Sequence, residues 1–216
     1  MSSPAPLLLA LDTSTSTASV ALFDGHRVLS ETTWQAGREH STRLLVEVDL
    51  AFERIGRTPT ELAGLVVARG PGSFTGVRVA LSVAKGMAAG LSIPLWGVSS
   101  LDVLAHAAGE VDLPVRALLE AGRGRYATAL FLHGVSIQPA RLATLDELSA
   151  LIEEPTLVIG ELTQEARTQL AGDHNTRLAS AAAGVRRAGY LAELGWRQVQ
   201  SGDPGDPHLV DALYVS

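Results

Sequence analysis

The N-terminal part of the chain is organised in apolar blocks separated by short polar turns. Two apolar runs, Leu7–Leu11 and Ala18–Phe23, have the length of buried strands. The Asp24-Gly25 dipeptide that follows is a strong hairpin signal. Residues 27–33 then alternate between apolar and polar as a half-buried strand does. The pattern therefore predicts three consecutive strands.

The next segments alternate between helical and strand patterns. Residues 41–55 place their apolar side chains on one stripe, which predicts an amphipathic helix. The short apolar run at 65–68 predicts a buried strand, and a second strand is expected at 93–96. Between them, residues 75–89 are apolar on almost every side, which predicts a helix buried on more than one side. A third helix is expected from Ser99 or Ser100 to about Ala108.

The second half of the chain partly repeats this order. A Gly-Pro-containing junction at 109–114 separates the two halves. The elements predicted beyond it are strands at 115–119, 126–133 and 156–159, a short strand near Ile137, a capping-box helix at 144–147, and helical segments from Thr163 and from about 178 to 194.

Both halves thus show the order β-β-β-α-β-α. We predict an α/β protein with two duplicated lobes, an N-terminal lobe over residues 1–108 and a smaller lobe over 109–216. This is the plan of the actin, sugar-kinase and Hsp70-like (ASKHA) class.

Composition and charge exclude several functional classes. Apolar residues make up 46% and charged residues 19% of the 216 residues, which is typical of a packed core. There are 23 acidic against 17 basic residues, so the chain lacks the positive surface of a protein that grips nucleic acid by itself. The arginine pairs 123/125 and 186/187 are interpreted as solvated faces.

Compartment and membrane association follow from what the chain lacks. The sequence contains no cysteine, which fits a reducing compartment. It shows neither a signal peptide nor an apolar stretch long enough to span a membrane. We expect a cytoplasmic protein without membrane association.

Candidate chemistry lies at two turns that each follow a predicted strand. The first turn contains Asp12, Thr13 and Ser14, which can organise a hydrated metal and a phosphate or can form an Asx turn. The second joins the strand at 65–68 to the apolar helix. Crowded amides at a helix N-terminus attract anions, and glycines allow a phosphate or another backbone segment to approach closely. The candidate phosphate residues in this second turn are Gly70, Gly72, Ser73, Thr75 and Gly76.

Taken together, these turns and their flanks carry a resemblance to a known family. The relevant stretches are LALDTS at 9–14, EHSTRLL at 39–45, ARGPGSFTGVR at 68–78 with AKGMA at 84–88, and VSSL at 98–101. They closely resemble the TsaB (YeaZ) family over residues 7–105, and the glycine-rich block is the specific part. The family is the non-catalytic partner of the TsaD threonylcarbamoyltransferase.

The resemblance implies a subunit of the complex that makes threonylcarbamoyladenosine in tRNA. Its expected partners are a TsaD-like enzyme and, through the complex, a TsaE-like ATPase. Contact with tRNA is expected only indirectly, and the chain is expected to form a homodimer when alone. No catalytic residue, metal or cofactor is expected.

Two departures from catalytic relatives support that expectation. Ser100 and Leu104 stand where such a relative carries a metal-binding histidine pair, and neither can hold a divalent metal. The segment Glu120–Arg125 stands where the second half of an actin-like ATPase begins its phosphate clamp, with a longer carboxylate and arginines between the glycines. ATP or ADP binding is therefore doubtful.

The predicted partner interface lies on the two helices of the first lobe. One side of the apolar helix must cover the sheet, which leaves a second ridge for another subunit. The residues predicted to form this interface are Val46, Leu50, Val79, Val83 and Gly86. The alternative is that the third helix or the C-terminal segment covers these ridges within the chain.

A second hypothesis belongs to another functional class. The chain would be a small ASKHA-type ATPase or kinase that binds nucleotide through Asp12 and the Gly70–Gly76 loop. It predicts nucleotide affinity that is lost in Asp12→Ala, whereas the subunit hypothesis predicts dependence on a partner.

Overall fold

The computed structural model describes residues 6–37 and 40–215. Its strands are β1 (Leu7–Asp12), β2 (Thr17–Phe23), β3 (Val28–Gln35), β4 (Leu62–Ala68), β5 (Leu95–Val98), β6 (Val115–Glu120), β7 (Arg125–Leu132), β8 (Val135–Thr144), β9 (Thr156–Gly160) and β10 (Thr176–Leu178). Its helices are α1 (His40–Ile55), α2 (Phe74–Leu91), α3 (Ser100–Ala107), α4 (Leu145–Ala150), α5 (Gln164–Ala171) and α6 (Ala188–Gln200), and a 3₁₀ turn lies at Pro59–Glu61.

Two compact units share this chain. Unit 1 contains the residues up to Ser99 together with Arg187–Ala212, and unit 2 contains Ser100–Arg186 and the segment from Leu213. Among the described residues, no helix combines the length and the apolar content needed to cross a bilayer.

Unit 1 is built on a five-stranded sheet in the order β3-β2-β1-β4-β5. The first three strands are antiparallel, whereas β4 and β5 run parallel to β1. One face of the sheet carries Leu7, Leu9 and Leu11 and packs against the apolar sides of α1 and α2. The other face is covered by α6.

The Asp24-Gly25 hairpin signal is confirmed by the contacts of the turn between β2 and β3. The Asp24 carboxylate accepts hydrogen bonds from the backbone N–H groups of His26 at 3.0 Å and Arg27 at 2.7 Å. Burial alone would raise the pKa of Asp24, but these hydrogen bonds and the Arg27 guanidinium lower it below its ordinary value.

Unit 2 repeats the same sheet with different residues. Its strand order is β10-β9-β6-β7-β8, and the β6–β7–β8 pairs are antiparallel while β9 and β10 run parallel to β6. Helix α3 packs on one face, and α4 and α5 pack on the other. The predicted duplicated α/β architecture of the ASKHA class is therefore confirmed.

The units differ from the predicted lobes of residues 1–108 and 109–216. Helix α3 follows the first sheet in the chain but buries Leu101 and Leu104 in unit 2. Helix α6 comes last but packs on the sheet of unit 1, where Gly195 lies directly against Val66. Each half therefore gives its last helix to the other unit, an exchange that local sequence patterns do not encode.

Two element predictions in the second half are wrong. Residues 178–187 are not helical, because Leu178 ends strand β10 and α6 begins only at Ala188. The strand near Ile137 is not short, since β8 extends over ten residues. Most of β8 is exposed at the edge of the sheet, so it lacks the apolar run that would have revealed its length.

Candidate functional site

The turn after β1 forms the floor of the candidate site in unit 1. Asp12, Thr13 and Ser14 are all almost fully buried. The Asp12 carboxylate accepts a hydrogen bond from the Ser14 N–H at 2.7 Å, which is the Asx turn anticipated from the sequence. The Asp12 carboxylate thereby holds the backbone of its own turn.

The Thr13 hydroxyl joins this turn to the start of α2. It donates to the Gly76 carbonyl at 2.6 Å and accepts from the Ala80 N–H at 3.2 Å. A side chain from β1 is thus inserted into the first turn of α2. Since all three groups are buried, the β1 turn and α2 are fixed against each other.

The glycine-rich loop is packed on the same turn. A Cβ at Gly72 would lie 2.2 Å from the Ser14 carbonyl oxygen, and a Cβ at Gly76 would lie 2.1 Å from that of Thr13. The Ser73 N–H donates to the Ser14 carbonyl at 2.6 Å. The close approach that these glycines permit is therefore an approach of the chain to itself.

The start of α2 is also capped from within. Ser73 is the N-cap residue, and its hydroxyl accepts from the Gly76 N–H at 3.3 Å. Two of the amides that would hold a phosphate are thus bonded to protein oxygens. The candidate phosphate residues also include Gly70 and Thr75. Gly70 is buried after β4, and Thr75 is exposed on the first turn of α2.

The segment at 120–125 in unit 2 has the contacts of a β-hairpin turn between β6 and β7. The Ala121 N–H donates to the Arg125 carbonyl at 2.8 Å, and the Arg125 N–H donates to the Gly122 carbonyl at 3.2 Å. The turn is exposed, and Gly122 and Gly124 have positive φ angles of 75° and 70°. Here the glycines serve the tight turn.

The described residues offer no cluster of histidine, aspartate or glutamate side chains suited to a metal ion. Ser100 and Leu104 lie on α3 in unit 2, and both are fully buried. Leu104 packs among apolar residues of β6, β7 and β9.

The predicted interface residues lie on the outer sides of α1 and α2. Val46 is 54% exposed and Leu50 is 36% exposed. On α2, Val79 and Val83 are partly buried, and a Cβ at Gly86 would meet no atom within 4 Å. Because α1 and α2 pack side by side on one face of the sheet, these residues belong to one surface.

Three further residues of this surface were not predicted. Leu45 is 50% exposed beside Val46, and Phe74 is 56% exposed at the first position of α2. The Arg78 guanidinium lies 3.7 Å from the centre of the Phe74 ring. A groove of about 430 Å³ runs between Phe74 and Val83. The available sequence signal was a phenylalanine at position 74, just before the helix predicted at 75–89.

We define the helix patch as the five predicted residues with Leu45 and Phe74. The C-terminal segment reaches α2 next to this patch, where Asp211 forms an ion pair with Lys85 at 3.0 Å. Glu39 and the side chains of His40 and Ser41, from the 39–45 stretch, lie outside the described residues.

The interpretation of Arg186 and Arg187 as a solvated face is wrong. Arg186 is only 1% exposed and forms an ion pair with Glu161 at 2.7 Å in unit 2. In unit 1, Arg187 is hydrogen-bonded to Glu31 of β3, which raises the pKa of Arg187 above its ordinary value. Both arginines are engaged within the chain, because each meets a carboxylate distant in sequence.

Comparisons with known proteins place these observations in a family. The family described as "TsaD: tRNA N6-adenosine threonylcarbamoyltransferase" matches residues 31–180. The chain is 32% identical to the Bacillus subtilis tRNA threonylcarbamoyladenosine biosynthesis protein TsaB, over 87% of this chain and 86% of that protein.

Two further relatives agree. The Escherichia coli protein of the same name is 38% identical, over 51% of this chain and 48% of that protein. Among solved structures, YeaZ from Pseudomonas aeruginosa superimposes with a TM-score of 0.74 at 25% identity, over 97% of this chain and 100% of that chain.

Proposed function

This chain belongs to the TsaB (YeaZ) family, and on that premise we propose that it is a non-catalytic subunit in the biosynthesis of threonylcarbamoyladenosine in tRNA. In this role it supports a TsaD-like threonylcarbamoyltransferase. The transferase carries the chemistry, and this chain supplies a surface on which the active assembly forms.

The helix patch is the observation that carries the proposal. It combines half-exposed leucine, valine and phenylalanine side chains on two neighbouring helices. Apolar surface of this kind usually marks an interface, because its removal from water stabilises a complex. Small residues such as Gly86 allow the backbone of a partner helix to approach closely.

The internal packing of the glycine-rich loop is consistent with a subunit that does no chemistry. Its glycines contact the Thr13–Ser14 backbone, and Asp12 holds the same turn. Transfer of a phosphoryl group needs donors and a metal ion placed around the phosphates. We therefore propose that no nucleotide is turned over and that neither a metal nor a cofactor is required.

The remaining partners follow from the same role. The same patch forms a homodimer when the chain is alone and receives the TsaD-like enzyme when that enzyme is present. A TsaE-like ATPase joins through the complex. Contact with tRNA is left to the partners, because the net charge of −6 disfavours a polyanion. The assembly works in the cytoplasm.

The test is reconstitution with the TsaD-like enzyme of the same organism. Val46→Asp places a charge in the helix patch, and Val135→Asp places the same charge at a 65% exposed valine on β8 of unit 2. We expect Val46→Asp to weaken co-elution of the two proteins and to lower threonylcarbamoylation of tRNA by at least roughly tenfold, whereas Val135→Asp leaves both unchanged.

Two results would contradict the proposal. One is a partner that modifies tRNA at full rate without this chain. The other is equal loss of binding in the two aspartate variants, which would show that the helix patch has no special part in docking.

A further inference from the structure

A second cleft lies at the edge of the unit 1 sheet, outside the candidate site. It has a volume of about 450 Å³, within the range of small-ligand sites of roughly 300–1,000 Å³. We call it the edge cleft. Its walls are Arg69, Leu95, Trp96, Gly97, Gln198, Asp203, Pro204, Gly205, Asp206, Leu209 and Val210.

Strand β5 presents an open stretch of backbone to the edge cleft. Within the part of the chain that the structure describes, it is the last strand of its sheet and its one partner strand is β4. The Pro94 carbonyl accepts from the Leu65 N–H of β4, and the Val98 carbonyl accepts from the Arg69 N–H just after β4. The N–H and C=O groups of Leu95 and Gly97 therefore point away from the sheet. The Leu95 N–H is bonded to the Gly205 carbonyl at 2.9 Å, and the Gly97 carbonyl accepts from Gln198 at 3.4 Å.

Two of the outward-pointing backbone groups of β5 are left to consider. Among the hydrogen bonds of the described residues, none satisfies the Gly97 N–H or the Leu95 carbonyl. They form a donor and an acceptor separated by one residue on the open side of a strand. A single extended residue can satisfy both, because strand addition pairs its own N–H and C=O with them.

Arg69 brings an uncompensated positive charge to the same place. Its Nε atom is buried and has no hydrogen-bond partner among the described residues, whose ion pairs do not include Arg69. The Arg69 side chain as a whole is only partly buried, so its guanidinium can form two parallel hydrogen bonds with a carboxylate that enters the cleft.

The other charges of the cleft select the kind of anion. Asp203 and Asp206 are exposed at the rim, and one oxygen of each accepts from a backbone N–H of its own turn. Water and salt screen these exposed carboxylates more than they screen the Arg69 site. Their repulsion still disfavours a doubly charged ion such as phosphate.

Apolar side chains complete the site. Leu209 is 78% exposed at the mouth, and the ring of Trp96 lies on the wall with its Nε1 bonded to the Asp203 carbonyl at 3.1 Å. Gly97 leaves room for this arrangement, since a Cβ there would lie 2.8 Å from Val210 and 3.1 Å from Arg69.

We propose that the edge cleft binds an N-acylated α-amino acid through its free carboxylate, as found in a small acylated amino acid or at the C-terminus of a peptide. The carboxylate is held by Arg69 and the Gly97 N–H, the amide N–H of the ligand donates to the Leu95 carbonyl, and an apolar side chain rests against Leu209 and Trp96.

The test uses the full chain labelled with 5-fluorotryptophan. All three tryptophans lie in unit 1, and Trp96 alone lines the edge cleft, so its ¹⁹F resonance, assigned with Trp96→Phe, reports binding there. N-acetyl-L-leucine should shift this resonance with saturation. N-acetyl-L-leucinamide and inorganic phosphate should bind at least roughly tenfold more weakly, because the amide lacks the charge and phosphate is repelled by the rim.

Variants separate the roles of the charge and the backbone. Arg69→Gln should weaken binding of N-acetyl-L-leucine at least roughly tenfold, while Arg197→Gln, on the exposed side of α6, should not change it. Gly97→Ala should also abolish binding by narrowing the cleft. The other two tryptophan resonances show whether each variant is folded.

A longer probe distinguishes the two sources of the ligand, a small acylated amino acid and the C-terminus of a peptide. Equal affinity for N-acetyl-L-leucine and for an acetylated tetrapeptide ending in leucine indicates a small metabolite, and tighter peptide binding indicates a chain terminus. Absence of a Trp96 shift at millimolar N-acetyl-L-leucine, or equal binding of the amide, would overturn the proposal.

Discussion

Replacing Gly76 by alanine tests whether the glycine-rich loop is a packing element of this protein. Gly76 lies in the first turn of α2, and a Cβ there would lie 2.1 Å from the Thr13 carbonyl oxygen. The turn after β1 or the start of α2 would have to move by about 1 Å to restore a normal contact of at least about 3 Å. That movement would break both hydrogen bonds of the Thr13 hydroxyl.

The expected loss of stability is the sum of three effects. Overpacking costs roughly 1–3 kcal/mol, and two buried hydrogen bonds contribute about 1 kcal/mol each. Alanine is the better helix former by about 1 kcal/mol, which offsets part of the loss. We therefore expect Gly76→Ala to lower the free energy of unfolding by about 2–4 kcal/mol, a large share of the roughly 5–15 kcal/mol of a typical domain.

Urea unfolding followed by tryptophan fluorescence measures this change. The three tryptophans, Trp34, Trp96 and Trp196, all belong to unit 1, so the signal reports the unit that contains the loop. Gly90→Ala on the same helix is the matched control. A Cβ at Gly90 would meet no atom within 4 Å, so the propensity gain of up to about 1 kcal/mol should appear alone.

The reasoning would be refuted if Gly76→Ala were as stable as the Gly90→Ala control. Such a result would mean that the loop stands away from the β1 turn, and its glycines would then be free to approach a phosphate.

Three further predictions concern single side chains. Thr13→Val should lower the free energy of unfolding of unit 1 by about 1–3 kcal/mol, because the Ala80 N–H loses its buried acceptor, and Thr13→Ser should recover most of the loss. Titration of the chain with Mg²⁺ and ATP in a calorimeter should show no more heat for the wild type than for Asp12→Ala, whose carboxylate holds the turn. Glu147→Gln should lower the stability of unit 2 at neutral pH and remove one source of its acid sensitivity. Hydrogen bonds from the backbone N–H and the hydroxyl of Thr144 lower the pKa of Glu147, so its stabilising effect is complete above the pKa of the unfolded chain and disappears as the pH falls through the lower, folded pKa. Wild type and Glu147→Gln should therefore differ in thermal melts at neutral pH and converge in acid.

Each of these has a contrary outcome. An unchanged urea midpoint for Thr13→Val would show that the Thr13 hydroxyl does not stabilise the contact between the β1 turn and α2. Saturable ATP binding that is lost in Asp12→Ala would favour the small ATPase over the subunit. A difference between wild type and Glu147→Gln that grows toward acid pH would reverse the sign of the linkage.

The sequence identified most of the local elements and the two turns of the candidate site. The buried runs at Leu7–Leu11 and 65–68 and the apolar helix between two strands predicted the first sheet and α2 with small shifts at their ends. Apolar patterns with periods of two and about 3.6 residues depend only on neighbours along the chain, so they can be recognised from the sequence alone. The same holds for the capping box at Thr144, whose hydrogen bonds span three residues.

The candidate site was only half specified by the same signals. Both turns were identified, and for each of them two explanations were kept, a phosphate site and a structural turn. Choosing between these required the distances from Gly72 and Gly76 to the β1 turn, some sixty residues away in the chain. The partnership of Arg186 with Glu161 and the edge cleft around Arg69 are likewise products of distant segments.

By itself, the sequence determined the duplicated order of strands and helices, the family, and the two turns that follow strands, because these rest on short-range patterns and specific motifs. Only the tertiary structure decided that α3 and α6 are exchanged between the units and that the glycine-rich loop packs on its own chain. The physical reason is that an apolar helix face can pack equally well on either sheet, so the sequence of a helix does not select one of them. In the same way, a glycine does not reveal which backbone segment will approach it.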